Sequence, residues 1–436
     1  MKLAAVKIGA RIAWGNKDTS AGSGEAKSII NMLRLGGAQV DIYTKVLPKD
    51  QNPDTYEFFN IDDEWVNINS RGYEGLVVIN GNLNFFGGAE DLAGILIWRM
   101  INLFKGRVFY VYCDGMIPLR QVWPSIAGKP WASNWKQEEI EIRRTDIVYV
   151  SQPYDLVAAG EIIAKAGVPV EAIEHYPTEK FPCLNGVIPM NPNPTWDLSY
   201  GGTMRGGKRI KKMAKYYFNY GKGLRVEMFG KIDLEPIHKE AKKQYGSEVT
   251  IPVINPPVNW IEFEQKMNDT LAHVVIGDIW YEGRHITQRT YESIFANVVT
   301  FVDTDFDPQR RVFGTTGFCS EFNYVSSQQE VEAKLLKVKE DPNFRGFVLK
   351  EQFKAVGFDA DSYCKGYYDI FKKWKSEPIL EGEPIPFEKV KTKEFNQEMF
   401  TDNMIKARVK ETNWVKPSPT RLQSIKEDKK GAVPLF

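Results

Sequence analysis

The chain has 436 residues, of which 43% are hydrophobic and 26% are charged, and its 57 lysines and arginines nearly balance 56 aspartates and glutamates. This composition is typical of a packed globular protein and excludes a largely disordered, collagen-like or membrane-spanning chain. Four widely spaced cysteines, with no CxxC pair and no histidine at metal-binding spacing, argue against a zinc site and a disulfide framework.

In the N-terminal part of the chain, short apolar runs alternate with helical patterns. Strands are predicted at Leu3–Ile8, Gln39–Tyr43, Gly75–Asn80, Arg107–Asp114 and Asp146–Ser151. Helices are predicted at about Glu25–Leu35, Asp91–Phe104 and Asp155–Ala166. This βαβ alternation predicts a parallel, doubly wound sheet that helices cover on both faces.

A proline-rich stretch, Pro177–Pro194, interrupts this alternation and predicts a linker between domains. The pattern then resumes, with strands predicted at Thr195–Tyr200, Leu224–Phe229, His273–Gly277 and Val298–Asp303 and helices near Lys208–Tyr220, Trp260–Asn268 and Thr287–Ala296. We therefore expect Rossmann-like domains over residues 1–180 and 181–380, followed by a C-terminal extension over residues 381–436. Ligands should lie at the carboxyl ends of the strands.

A glycine-rich segment with the sequence YGGTMRGGKRIKKM, Tyr200–Met213, joins a predicted strand to a predicted helix. Glycines permit close approach of the backbone to a ligand, and the N-terminus of a helix attracts anions. Arg205, Lys208 and Arg209 add positive charge, so a diphosphate would fit here. An ordinary turn followed by a solvated basic helix face explains the pattern equally well.

A second constellation follows a later strand. Gly277 and Asp278 end that strand, and Arg289 and Glu292 come next, three residues apart. On a helix this spacing places both side chains on one face, where the arginine could neutralise a diphosphate and the glutamate could bind ribose hydroxyls. An intrahelical ion pair is the alternative.

Two N-terminal segments complete the candidate chemistry. Asp114 ends an apolar strand, where a partly desolvated carboxylate could act as a general base, although a turn or helix-capping aspartate is the alternative. The loop Asn80–Gly88, NGNLNFFGG, carries two adjacent aromatic residues that could insert between stacked bases or pack beneath the loop.

Taken together and in their order along the chain, these segments resemble the DNA β-glucosyltransferase family of the T-even bacteriophages. The resemblance covers about Met1–Pro378 and is carried by the blocks GEAKSIINML, VVINGNLNFFGG, VYCDGMIPLRQVWP, DIVYVSQPYDL, YGGTMRGGKR, VEMFG and GDIWYEGRHITQRTYE. It implies an α/β chain of the GT-B fold, with an N-terminal DNA-binding domain and a UDP-sugar-binding domain facing each other across a cleft. It also implies inverting transfer of a sugar to a flipped-out modified cytosine in duplex DNA.

The same resemblance implies roles for individual residues. Asp114 would be the catalytic base, and Glu25 a carboxylate on the donor-sugar side. The implied donor-binding residues are Thr203, Arg205, Arg209, Phe229, Gly230, Val258, Trp260, Asp278, Arg289 and Glu292. Asn84, Phe86 and Lys208 would contact DNA. The UDP-sugar is the implied co-substrate, with Mg²⁺ or Mn²⁺ as a supporting cation whose ligands are not assigned.

Some positions depart from the family pattern beside the sugar site. Gly115 and Met116 follow the candidate base, and the segment Ala21–Gly24 is rich in glycine. We therefore expect transfer of glucose, from UDP-glucose, or of a pentose such as arabinose, from UDP-arabinose. The expected acceptor is 5-hydroxymethylcytosine or a related hydroxylated cytosine. A UDP-sugar enzyme acting on a small molecule and an inactive DNA-binding relative remain alternatives.

The two ends of the chain support further expectations about where the protein acts and what it binds. The first residues lack an export-signal pattern and the implied substrate is DNA, so we expect the protein to act in the host-cell cytoplasm without a membrane partner. A monomer is the default expectation. Between Asn403 and Phe436, eight lysines and arginines face three acidic residues, a local charge of +5. This basic stretch could bind DNA, or it could be a disordered tail or a strap across the two domains.

Overall fold

The computed structural model describes residues 1–7, 21–44, 47, 57–80, 97, 100–112, 146–151, 170–173, 188–204, 207–221, 223–258, 262–277, 282–283 and 286–376. These residues belong to two compact units. Unit 1 comprises Met1–Glu179 and the chain from Ala360 onward, and unit 2 comprises Lys180–Asp359. Each unit is built on a parallel sheet, so the predicted α/β architecture is confirmed.

The sheet of unit 1 has seven strands in its described part. They are β1 (Lys2–Lys7), β2 (Gln39–Thr44), β3 (Phe58–Asn60), β4 (Gly75–Asn80), β5 (Arg107–Tyr112), β6 (Val148–Ser151) and β7 (Val170–Ala172). Neighbours pair in parallel in the order β3-β2-β1-β4-β5-β6-β7. The strand order reverses between β1 and β4, and ligands of such sheets bind at the carboxyl ends beside this point.

Helices α1 (Ala21–Leu35) and α2 (Ile61–Glu64), with a short 3₁₀ turn at Trp65–Asn67, connect these strands. The central strands are apolar on both faces, as in β4, where the consecutive residues Val77 and Val78 are both fully buried. Such continuous burial requires cover on both sides of a parallel sheet.

The last described helix of the chain, α10 (Ala360–Ser376), packs on the sheet of unit 1. The rings of Phe371 and Phe109 lie 4.2 Å apart between centroids. Arg107 in β5 donates from Nε to the carbonyl oxygen of Trp374 at 3.1 Å. The sequence placed this stretch in the second domain, whereas its buried apolar stripe completes the core of the first.

The sheet of unit 2 has six strands in its described part. They are β8 (Trp196–Gly201), β9 (Val226–Phe229), β10 (Val253–Asn255), β11 (Thr270–Val275), β12 (Val299–Asp303) and β13 (Tyr324–Val325). All neighbours are parallel in the order β10-β9-β8-β11-β12-β13. Here the strand order reverses between β8 and β11, which places the expected ligand site at the ends of these two strands.

Seven helices surround this sheet in the described part of unit 2. In chain order they are α3 (Lys208–Tyr217), α4 (Leu234–Tyr245), α5 (Phe263–Asn268), α6 (Gln288–Phe295), α7 (Phe318–Phe322), α8 (Gln328–Glu340) and α9 (Pro342–Val356). Side-chain caps begin three of them. Asp233 accepts from the amide of Glu235 at the start of α4. Ser327 accepts from the amide of Glu330 at the start of α8, and Asp341 accepts from the amides of Asn343 and Phe344 at the start of α9.

The sequence-predicted elements differ from the structure mainly at their ends. The helix predicted at Lys208–Tyr220 ends at Tyr217, because Phe218 is extended and fully buried in the core. The helix predicted at Asp155–Ala166 and the extension at residues 381–436 lie outside the described residues. None of the described helices has both the length and the apolar character needed to cross a membrane.

Candidate functional site

The carboxyl ends of β8 and β9 meet through two glycines. The amide of Gly202 donates to the carbonyl oxygen of Phe229 at 3.0 Å. Gly230, the next residue, has a φ of +138°, and a Cβ built on it would lie 1.7 Å from the carbonyl oxygen of Gly202. Only glycine fits at this position. The predicted donor-binding residues Phe229 and Gly230 therefore form the base of the glycine-rich turn after β8.

The turn continues into helix α3, whose first turn is basic. Gly207 occupies the N-cap position, so the helix begins without a side-chain cap, and Lys208 and Arg209 follow. Arg209 donates from Nη1 to the carbonyl oxygen of Thr203 at 3.4 Å, and Thr203 is itself exposed. An uncapped helix N-terminus that carries cations instead of acids favours an anionic ligand.

Arg289 and Glu292 lie together on helix α6. Nε of Arg289 is 3.3 Å from Oε2 of Glu292, so the intrahelical ion pair is present. The guanidinium carbon of Arg289 also lies 3.5 Å from the ring centroid of Phe263, the first residue of α5. Nη1 of Arg289 is buried and has no hydrogen-bond acceptor within the described part of the chain. The ion pair thus leaves a donor of this arginine unused.

Val258, predicted to bind the donor, follows β10. Its side chain is partly buried and packs against an apolar cluster that includes Phe229 and Phe263. The rings of these two phenylalanines have centroids 5.5 Å apart. Phe229 and Val258, two residues predicted to bind the donor, therefore share one small apolar cluster with Phe263, the ring that also contacts Arg289.

A network of charges, buried at Lys212, Glu282 and Asp303 and exposed at Lys208 and Asp305, connects the first turns of α3 to the end of β12. Lys208 donates to Oε2 of Glu282, and Lys212, one turn further on, donates to Oδ2 of Asp303. The Lys212 ammonium is also 2.7 Å from Oδ2 of Asp305 and 3.7 Å from Oε1 of Glu282. Burial alone would lower the pKa of Lys212, but the Asp303 carboxylate and its neighbours outweigh burial and raise it.

The acids of this network are the described residues best placed to hold a metal ion. Glu282, Asp303 and Asp305 each bring a carboxylate oxygen within 4.8 Å of the other two. The ammonium of Lys212 lies among them, however, and supplies the cation that three such carboxylates require. Their geometry therefore fits an internal lysine and not a resident divalent cation.

The sequence patterns do not single out Phe263, Glu282, Lys212 or Asp303. A lysine inside a basic helix and an aspartate at a strand end are common patterns, and only their burial against each other distinguishes these. Phe263 gives no sequence signal, because its contact with Arg289 joins two different helices. Only Glu282 had a sequence signal, because it precedes Gly283 within GDIWYEGRHITQRTYE, one of the blocks that carry the family resemblance.

Other predicted site residues lie wholly or partly outside the described part of the structure. Helix α1 contains Glu25, whose side chain is outside the described part of the structure. The remaining predicted site residues lie outside the described residues altogether: Asn84, Phe86, Asp114, Arg205, Trp260 and Asp278.

Comparisons with known proteins give two matches of the same kind. Residues 1–182 match the family model described as bacteriophage T4 beta-glucosyltransferase. The DNA beta-glucosyltransferase of Enterobacteria phage T4 is 27% identical over 308 residues, covering 70% of this chain and 84% of that protein. The resemblance to the T4 β-glucosyltransferase family is confirmed.

Solved structures show that the likeness to this family extends to the fold. A structure of T4 phage BGT in complex with UDP and Mn²⁺ has a TM-score of 0.67 at 24% identity, over 86% of this chain and 100% of that chain. An alpha-glucosyltransferase in complex with UDP-glucose and DNA containing an abasic site has a TM-score of 0.52 at 10% identity, over 85% of this chain and 99% of that chain. The GT-B class expected of a β-glucosyltransferase relative is confirmed.

Proposed function

We propose that the chain is an inverting glycosyltransferase that moves a sugar from a UDP-sugar to a hydroxylated cytosine in duplex DNA. The observation that carries the proposal is Arg289, which is held by Phe263 and Glu292 and keeps a buried Nη1 donor unused. Such a donor suits a diphosphate, which can accept hydrogen bonds from a planar guanidinium at two oxygens. The similarity to the DNA beta-glucosyltransferase of phage T4 supports the choice of DNA as acceptor, and the similarity to T4 phage BGT in complex with UDP supports the choice of UDP.

The donor would lie at the carboxyl end of the sheet of unit 2. Its diphosphate would meet the first turn of α3, with Arg205 and Arg209, while Thr203 offers a hydroxyl beside the glycine turn. Glu292, already close to Arg289, would accept hydrogen bonds from the ribose. Val258 and Trp260 would hold the uracil, and Asp278 would lie beside the sugar.

The chemical step would use Asp114 as a general base. Its carboxylate takes the proton of the hydroxymethyl group while the oxygen of that group forms a bond to the anomeric carbon of the sugar. The bond from that carbon to the UDP oxygen breaks, its electron pair stays on the diphosphate, and the configuration inverts. The arginines stabilise the charge that develops on the leaving group, and Glu25 would lie on the sugar side.

The acceptor base must leave the DNA stack, because a stacked base cannot bring its hydroxymethyl oxygen to an anomeric carbon held in a protein site. Asn84 and Phe86 would enter the duplex and fill the gap. Lys208, which is 45% exposed although it contacts Glu282, would meet the DNA phosphates. Extrusion costs a few kcal/mol, roughly, and these contacts would offset it.

The identity of the sugar is tested by incubating the protein with hydroxymethylcytosine-containing duplex DNA and either UDP-glucose or UDP-arabinose. Mass spectrometry of the nucleosides should show a hexose-sized gain with the first donor or a pentose-sized gain with the second. A hexose-sized gain would identify a glucosyltransferase, and a pentose-sized gain would identify a pentosyltransferase. No gain with either donor would contradict the proposal.

Two variants separate the proposed roles. Asp114→Asn should abolish transfer and leave UDP affinity unchanged, because it removes the base and not a donor ligand. Arg289→Gln should weaken UDP binding as well as transfer. If Asp114→Asn retains near-normal turnover, the assignment of the base is wrong. The alternative of a small-molecule acceptor is tested separately, by whether sugar from a labelled UDP-sugar enters the duplex DNA. Addition of EDTA during both assays tests the Mg²⁺ or Mn²⁺ requirement.

A further inference from the structure

We propose that Phe263 is a positioning residue of the donor site, whose ring holds the Arg289 guanidinium ready to bind the donor diphosphate. The inference rests on the proposed function, because it assigns Arg289 to that diphosphate. It concerns a residue outside the set that the family resemblance implies, since Phe263 belongs to none of the matching sequence blocks.

The contact between the two side chains defines the plane of the guanidinium. Cζ of Arg289 lies 3.5 Å from the centroid of the Phe263 ring, within the range of a strong cation–π contact. Glu292 engages Nε of the same arginine at 3.3 Å. The ring therefore restrains one face of the guanidinium, and the carboxylate restrains one edge. The remaining in-plane donors include the buried Nη1, which has no acceptor among the described residues.

Phe263 also touches the glycine-rich turn. A Cβ built on Gly201, the last residue of β8, would lie 2.4 Å from Cε2 of Phe263, so the ring occupies space that any other residue at 201 would fill. Phe263 is only 4% exposed, and Phe229 packs beside it. One ring therefore contacts both the turn proposed to meet the diphosphate and the arginine proposed to bind it.

This placement gives the ring a role beyond filling the core. An arginine side chain has several rotatable bonds, and fixing it in a binding geometry costs conformational entropy when the ligand arrives. A ring and a carboxylate that restrain the guanidinium beforehand reduce that cost. An aliphatic side chain at 263 would preserve apolar packing but would lack the negative face of the aromatic ring.

The test compares UDP affinity and thermal stability in the full-length chain. Phe263→Leu should weaken UDP binding about tenfold by isothermal titration calorimetry, because the cation–π contact is lost. Phe263→Tyr, which keeps the ring, should stay within about threefold of the wild-type Kd. Phe301→Leu is the matched control: it removes a fully buried ring of the same sheet core, and should lower the Tm while leaving the Kd within about twofold.

A double-mutant cycle locates the effect on the arginine. In the Arg289→Gln background, Phe263→Leu should cause little further loss of UDP affinity, because the group that the ring positions is absent. If Phe263→Leu is unfolded, Phe263→Met, with a longer flexible side chain, replaces it in the cycle. Wild-type UDP affinity in a folded Phe263→Leu or Phe263→Met variant, together with a loss in Arg289→Gln, would overturn this inference and leave the proposed function intact. Failure of the wild-type chain to bind UDP would overturn the proposed function itself, and this inference with it.

Discussion

The phenol of Tyr216 donates a hydrogen bond of 2.7 Å to Oδ1 of Asp303, and the other carboxylate oxygen of Asp303 accepts from the ammonium of Lys212. All three side chains are buried. Together they join helix α3, which begins at the glycine-rich turn, to the carboxyl end of β12. The position of the proposed anion-binding helix therefore depends on one buried carboxylate.

Replacing that carboxylate should destabilise unit 2. Asp303→Asn keeps the shape but leaves the buried Lys212 ammonium with less compensating charge, so we expect a loss of about 3 kcal/mol in the free energy of unfolding. Urea denaturation followed by tryptophan fluorescence measures this loss. Lys243→Gln is the control, because it removes an exposed ion pair with Glu240 and should cost less than about 1 kcal/mol. Equal effects of the two substitutions would contradict the importance of the buried network.

A second prediction concerns the contact between the two strand-end glycines. Gly230→Ala would place a methyl group against the carbonyl oxygen of Gly202 in a backbone conformation with positive φ. We expect a loss of about 2 kcal/mol or more in stability and a clear loss of UDP affinity, because the turn must move. Gly346→Ala is the matched control: the new Cβ, on helix α9, meets nothing within 4 Å. It should raise stability by about 0.5–1 kcal/mol and leave UDP binding unchanged.

Much of the fold could be predicted from the sequence because its signals are local. The apolar run of β4 and the glycine after α1 at Gly36 show strand and helix boundaries within a few residues. The contact between Arg289 and Glu292 follows from their spacing on one helix. The partner of Arg289 on its other side could not be predicted, because Phe263 reaches it only through the packing of α5 against α6.

The assignment of α10 shows a second limit of local patterns. Cys364, Tyr367 and Phe371 form a buried stripe at helical spacing, which predicts an amphipathic helix. The stripe does not specify which sheet it covers, and chain order suggested the sheet of unit 2. The contacts with Phe109 and Arg107 place it on unit 1 instead.

This placement leads to a third prediction. Phe371→Ala should cost about 3–5 kcal/mol in stability, because it empties a fully buried site between α10 and the sheet of unit 1. Phe347→Ala, on helix α9, removes a ring that is 46% exposed and should cost far less. Limited proteolysis should then cleave unit 1 of the Phe371→Ala variant before unit 2. Earlier cleavage of unit 2 would contradict the assignment of α10 to the core of unit 1.

The last prediction concerns His273, which is buried in β11 near Arg289 and Glu292. Nδ1 donates to the carbonyl oxygen of Ser199 at 2.8 Å, and burial lowers the pKa of this histidine from 6.5 to about 4. Below pH 6.5 the unfolded chain binds a proton that the folded chain does not bind until about pH 4, so stability falls as the pH falls through this window. Between pH 7 and pH 5 the histidine should account for a loss of about 2 kcal/mol. His273→Asn should remove that share of the pH dependence in urea titrations, whereas Leu271→Ala, at a buried site without a titratable group, should destabilise the chain equally at both pH values. An unchanged pH dependence in His273→Asn would show that the buried ring is not the group that titrates.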